Sequence, residues 1–116
     1  MTPTRKVSTA SVEHYAWGNG CEGWHLVNQP SLSVIRERMP PGASEIRHLH
    51  NRAHQFFLVL TGTAVLELNG LRYELQGGEG IEVQPGLPHQ IVNTSTEPLE
   101  FLVVSQPHSH GDRVAV

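Results

Sequence analysis

The sequence predicts an all-β fold, an antiparallel sandwich or barrel, and three observations carry that prediction. Glycine or proline interrupts the chain every several residues, which leaves no window for three helical turns with a continuous apolar stripe. Between the interruptions lie roughly eight to ten short segments with strand character, spaced by regular turn signals. One of those signals, Asn69-Gly70, is among the strongest short hairpin marks a sequence can carry.

Taken in order, Met1 to Ala10 is polar and Thr/Ser-rich and reads as a loose arm. Ser11 to Asn28 holds two short aromatic pieces, Tyr15–Trp17 and Trp24–Val27, with Gly18-Asn19-Gly20 and Gly23 between them. Leu32–Met39 reads as a strand stopped by Pro40-Pro41-Gly42, because proline cannot donate to a ladder and glycine accepts a tight turn. His48–His50 is extended. Gln55–Thr61 is nearly free of polar residues, which suggests burial on both faces. Gly62 leads into the hairpin Thr63–Leu68 and Leu71–Gln76, with Leu71, Tyr73 and Leu75 on one face. Ile81–Gln84, His89–Thr94 and Leu99–Ser105 complete the set, and the segment from Pro107 to Val114 reads as an exposed polar tail.

The 116 residues form one domain, 1–116, long enough to bury a core without covalent staples. A net charge of −3 with no basic run gives no footprint for nucleic acid and no reason to expect an anionic membrane. Cys21 is the single cysteine, so no disulfide can form within the chain and a reducing, cytoplasmic setting fits. No apolar segment follows Met1–Val7 to suggest a signal peptide. Eight histidines in so short a chain raise the question of metal chemistry.

His48 and His50 are two apart on an extended segment, so both imidazoles point to one face. Gly42, five residues, His48-Leu49-His50, four residues, Gln55, six residues and Gly62 resemble the first cupin motif, G-x5-H-x-H-x3,4-E-x6-G. From Gly78 to Asn93, with Gly86, Pro88 and His89, the chain resembles the second, G-x5-P-x-G-x2-H-x3-N. Two departures stand out: Gln55 replaces the family's Glu, and the proline is Pro85 where the pattern would put it at Gln84.

The resemblance implies an antiparallel jelly-roll barrel, a homodimer, and one divalent transition metal (Zn, Ni, Fe, Cu or Mn) held by His48, His50, His89 and Gln55. His54 rivals Gln55 because it satisfies the shorter spacing of the same motif, although strand parity turns it to the opposite face. A neutral amide in place of a carboxylate weakens metal retention and removes a general base. Glu37 is a candidate replacement base if the Ile35/Glu37/Met39 face is the inner one. Phe57, Val59, Ile91 and Phe101 are expected inside the barrel, while Trp17, Trp24 and Tyr73 are assigned to core or dimer packing. Cys21 is expected to be inert, His14 and His25 have no spacing that demands a role, and His108-Ser109-His110 repeats the H-x-H spacing in the tail. Function narrows to two classes. One is an enzyme acting on a small organic molecule coordinated to the metal, of dioxygenase or isomerase/cyclase type; the other is a non-catalytic module that binds a small, sugar-like ligand.

Overall fold

A computed structural model describes residues 4–109 and 111–116. Eleven strands are found among the described residues: β1 (His14–Trp17), β2 (Cys21–Gln29), β3 (Leu32–Met39), β4 (His48–His50), β5 (His54–Thr61), β6 (Thr63–Leu68), β7 (Leu71–Gln76), β8 (Gly80–Val83), β9 (His89–Val92), β10 (Leu99–Gln106) and β11 (Arg113–Ala115). They pair antiparallel in two sheets, β1-β2-β3-β10-β5-β8 and β11-β4-β9-β6-β7. The fold is the jelly roll that the sequence implied. Among the described residues no helix is long and apolar enough to cross a membrane.

Local chemistry sets the register. The β6–β7 hairpin closes on Asn69 and Gly70 at φ 50° and 90°, the two left-handed residues that match the twist of the flanking strands. The pairing Leu68↔Leu71, Leu66↔Tyr73, Ala64↔Leu75 then turns one alternate set of side chains inward. Phe57, Val59, Ile91 and Phe101 are buried as expected, joined by Met39, Ala64, Leu66, Leu99 and Val103. Burying each of the larger of these contributes about 1.5–3 kcal/mol.

The apolar core fills only part of the barrel. Along β10 the inward residues run Leu99, Phe101, Val103 and then Ser105. Ser105 sits at the level of Ser33 on β3 and Gln55 on β5, and all three are buried. Beyond that change from apolar to polar lies the candidate site.

Two expectations need correction. Burial of β5 on both faces does not hold: Phe57 and Val59 are buried, but Phe56 is 40% exposed, because β5 belongs to an antiparallel sheet with one face turned outward. The C-terminal segment is not a free polar tail. Arg113–Ala115 pairs with β4 in the register Arg113↔His50, Val114↔Leu49, Ala115↔His48. Buried Asp112 precedes that strand and accepts the backbone N–H groups of Asn51, Arg52 and Ala53 at 3.2, 2.9 and 2.8 Å. The polarity of this segment serves a staple between strands. His110 lies outside the described residues, as do Met1 to Pro3 of the expected N-terminal arm.

Candidate metal centre

His48 and His50 face inward from β4, and His89 comes from β9 directly opposite His48. Ring centroids are 4.5 Å apart for His48–His89, 4.9 Å for His48–His50 and 5.9 Å for His50–His89. One ring nitrogen of each lies within 4.8 Å of the others, so the three could hold a metal ion. His48 Nδ1 bonds the Ile46 carbonyl at 2.7 Å and His89 Nδ1 bonds the Leu87 carbonyl at 2.9 Å. A carbonyl can only accept, so Nδ1 carries the proton in each ring and Nε2 keeps its lone pair.

Electrostatics hold the cluster neutral. Burial, against the Ile46 bond, pushes His48 down to about 3. Burial and the neighbouring His89 push His50 down to about 4, and burial lowers His89 too. His89 Nε2, His50 Nδ1 and Gln55 Oε1 are buried without hydrogen-bond partners among the described residues. Unpaired buried lone pairs are costly, and a cation is the partner that three neutral imidazoles and an amide oxygen would accept together. The donor set fits a divalent metal.

Gln55 is turned by its neighbour on the next strand: its Nε2 donates to Ser105 Oγ at 3.0 Å, which leaves Oε1 as the unpaired atom. Gln55 lines the same cavity as His48 and His50. His54 lies one residue earlier, on the outer side of β5, where Nε2 meets Glu82 Oε2 at 2.6 Å, and it is outside the three-histidine cluster.

That cavity, of about 380 Å³, is also lined by Tyr15, His25, Glu37, Glu45, Phe57 and Arg113. Glu37 is on the inner face of β3. Its position depends on Gly23: the row Tyr15, Gly23, Glu37 crosses three strands, and a Cβ on Gly23 would come 2.3 Å from Tyr15 Cζ. With no side chain in the way, the Tyr15 ring lies across β2 and its hydroxyl donates to Glu37 Oε1 at 3.4 Å. Burial raises Glu37 to about 7, opposed by the Tyr15 bond and Arg113. Burial, with Glu37 nearby, raises Glu45 to about 8, opposed by the Ile91 N–H that donates to its Oε1 at 3.1 Å and by Arg113. Two carboxyls that titrate near neutrality beside three imidazoles can give and take protons.

Of the remaining histidines, His14 meets Glu22 at 3.2 Å on the outer side of β1. His25 stacks on Tyr15 at 4.9 Å and lines the cavity, a placement its spacing did not suggest. His108 bonds Asn28 Oδ1 at 2.7 Å. The buried Cys21 thiol is pushed up by burial and by both glutamates, in keeping with an inert residue. Glu45, Tyr15 and Arg113 carried no signal on their own. Glu45 lies in the β3–β4 connection, and Arg113 in a segment that reads as a polar tail.

The fold and the histidine cluster define a cupin, and the Cupin domain family model matches residues 35–105: the chain belongs to that family. Among curated relatives it is similar to the oxalate-binding protein of Thermotoga maritima, 33% identical over 85 residues, 69% of this chain and 70% of that one. It is also similar to the uncharacterized protein MJ1618 of Methanocaldococcus jannaschii, 31% identical over 81 residues, 69% of this chain but only 65% of that protein's length. Among solved structures, the polyketide cyclase RemF from Streptomyces resistomycificus superposes with a TM-score of 0.84 at 21% identity, over 98% of this chain and 86% of that one. The last likeness shows the fold alone.

Proposed function

We propose that the protein is a cytoplasmic, homodimeric metalloenzyme that moves a proton on a small organic substrate, an isomerase- or cyclase-type activity. His48, His50 and His89 would hold one divalent transition metal (Zn, Ni, Fe, Cu or Mn), with Gln55 Oε1 as fourth donor, a choice over His54 that the outward position of His54 supports. Such an ion supplies Lewis acidity toward a coordinated carbonyl or carboxylate oxygen. Glu37 is the base. Tyr15 fixes its orientation and Gly23 makes room for that contact, while Glu45, which lines the same cavity, would be the second carboxyl in the exchange. The observation that carries the reading is that both high-pKa carboxyls share one small cavity with His48 and His50 of the histidine cluster.

The test has two parts. Elemental analysis of protein purified without added metal is expected to give one ion per chain, lost in His48→Ala and His89→Ala variants that stay folded. Loaded protein in deuterated water, offered a panel of small keto acids and hydroxyketones, is expected to speed hydrogen exchange at the carbon beside the carbonyl. Glu37→Gln should slow that exchange by about 10²–10⁴-fold.

A second reading, a non-catalytic binding module, draws on Gln55 standing where the family has a carboxylate and on the name of the Thermotoga relative. Calorimetric binding of a panel member with no exchange on any of them, unchanged in Glu37→Gln, would establish it instead.

A further inference from the structure

Arg113 is a charged cavity residue that neither the motifs nor the proton-transfer reading uses. It stands opposite His50 on β11, so it projects from the same sheet face as the histidines and lines their cavity. Its field reaches all three imidazoles and both carboxyls. We propose that Arg113 selects the ligand: its guanidinium receives a carboxylate of a small organic anion whose other oxygen donors face His48, His50 and His89. The proposal rests on the metal reading above and adds the ligand's chemical class.

Three observations carry it. Arg113 is held in place and still open. Asp112, the preceding residue, is pinned by three backbone N–H groups of the β4–β5 turn, and Arg113 Nη2 donates to the Ile46 carbonyl at 3.3 Å. Nε and Nη1 make no hydrogen bond to the described residues, and no carboxylate among them lies within ion-pair distance of the guanidinium. Arg36, Arg38 and Arg47, by contrast, are spent on Glu100, Glu22 and Glu67. A guanidinium anchored by one nitrogen presents its remaining N–H groups in the planar fork that suits a carboxylate.

The second observation is charge. The donors His48, His50, His89 and Gln55 are all neutral, so a divalent ion there keeps its full charge, and Arg113 adds another. Against these stand at most Glu37 and Glu45. Tyr15 stays neutral, since burial and Glu37 raise its pKa. His25 and His108 can only add positive charge. The loaded cavity is net positive in every protonation state of its carboxyls, and it favours an anion over a neutral sugar. Third, a cavity of about 380 Å³ lies at the small end of ligand pockets, which limits the anion to a few carbons.

Isothermal titration of the metal-loaded protein with malonate and succinate, and with their uncharged diamides, tests this. Wild-type protein should bind at least one dianion and neither diamide. Arg113→Gln should weaken that binding by about tenfold or more while metal content stays at one per chain, and Arg113→Lys should recover part of it. Arg36→Gln, which removes an equal charge from the outer face, should change nothing. No binding of either dianion by the wild type, equal binding by Arg113→Gln, or an equal loss in Arg36→Gln would overturn the proposal while leaving the metal reading intact. If the protein holds no metal yet binds a dianion in an Arg113-dependent way, the metal reading fails and the role of Arg113 stands.

Discussion

At Gln55 one buried side chain faces two demands. Its amide donates to Ser105, which leaves the carbonyl oxygen without a partner among the described residues. The sequence left the fourth ligand open between Gln55 and His54, and strand parity put the two on opposite faces, as they are: Gln55 is buried, whereas His54 sits outside with Glu82. Gln55→Glu puts a charge where neutrality now holds. Metal binding should tighten by about tenfold or more, while the metal-free protein loses about 1–3 kcal/mol for burying an incompletely satisfied carboxylate. Competition with a chelator and urea denaturation read the two effects separately, and a variant that changes neither would take Gln55 out of the site. The carboxyl pair gives a pH prediction of definite sign. Glu37 and Glu45 are raised from 4.5 to about 7 and about 8, so the folded chain binds protons that the unfolded chain has released. Their contribution to stability is complete below pH 4.5 and is lost as pH rises through 7 and 8. Facing them are Tyr15 from β1, His25 from β2, His48 and His50 from β4, His108 from the chain after β10 and Arg113 from β11; Arg113 opposes the upward shift of both. Denaturation of metal-free protein between pH 5 and 9 should show wild-type stability falling relative to the Glu37→Gln/Glu45→Gln double variant. Parallel profiles would mean that neither carboxyl is raised.

Most strands were legible from sequence, with or without a motif: Leu32–Met39, Ile81–Gln84 and Leu99–Ser105 were read from apolar patterning between turn signals alone and lie on β3, β8 and β10. β4 to β7 and β9 announced themselves through histidine spacing, an Asn-Gly turn and Gly/Pro stops. β11 did not, because three residues are too few for alternation to register and their surroundings are polar. Its pairing with β4 is set by Asp112, a tertiary contact that no local pattern encodes. Gly23 is another such case. In sequence it looked like a turn residue, yet it lies inside β2 so that the Tyr15 ring can cross the strand to Glu37. Gly23→Ala would bring a methyl group 2.3 Å from Tyr15 Cζ, and the ring must leave. The variant should keep its fold and its metal but lose the Tyr15–Glu37 contact. A loss of catalysed exchange in Gly23→Ala that Tyr15→Phe reproduces would trace the defect to the missing Tyr15–Glu37 contact. Exchange at the wild-type rate would show that Tyr15 does not position Glu37.

Across the whole molecule, the inner faces of the two sheets account for the core and the site, and the outer face of the six-stranded sheet remains unexplained by either. There, Val27, Val34, Val104 and Phe56 stand side by side on β2, β3, β10 and β5, with Leu102 and Leu58 in the next row. The Arg36–Glu100 and His54–Glu82 pairs border them. This is why β5 read as buried on both faces: its outward residues are apolar, as they are in strands covered by a second layer. An apolar patch rimmed by ion pairs has the anatomy of a protein interface, and a symmetric second copy would cover it on both chains at once. The expected homodimer would therefore use this face. A stable dimer of ordinary size buries about 800 Å² on each partner, and a charge at the centre of such a patch disrupts it. Sedimentation equilibrium should give a dimer for the wild type and a monomer for Val104→Glu/Phe56→Glu, with metal content unchanged because both residues point away from the histidines. A wild-type monomer, or a variant that still dimerises, would assign the apolar face to something other than self-association.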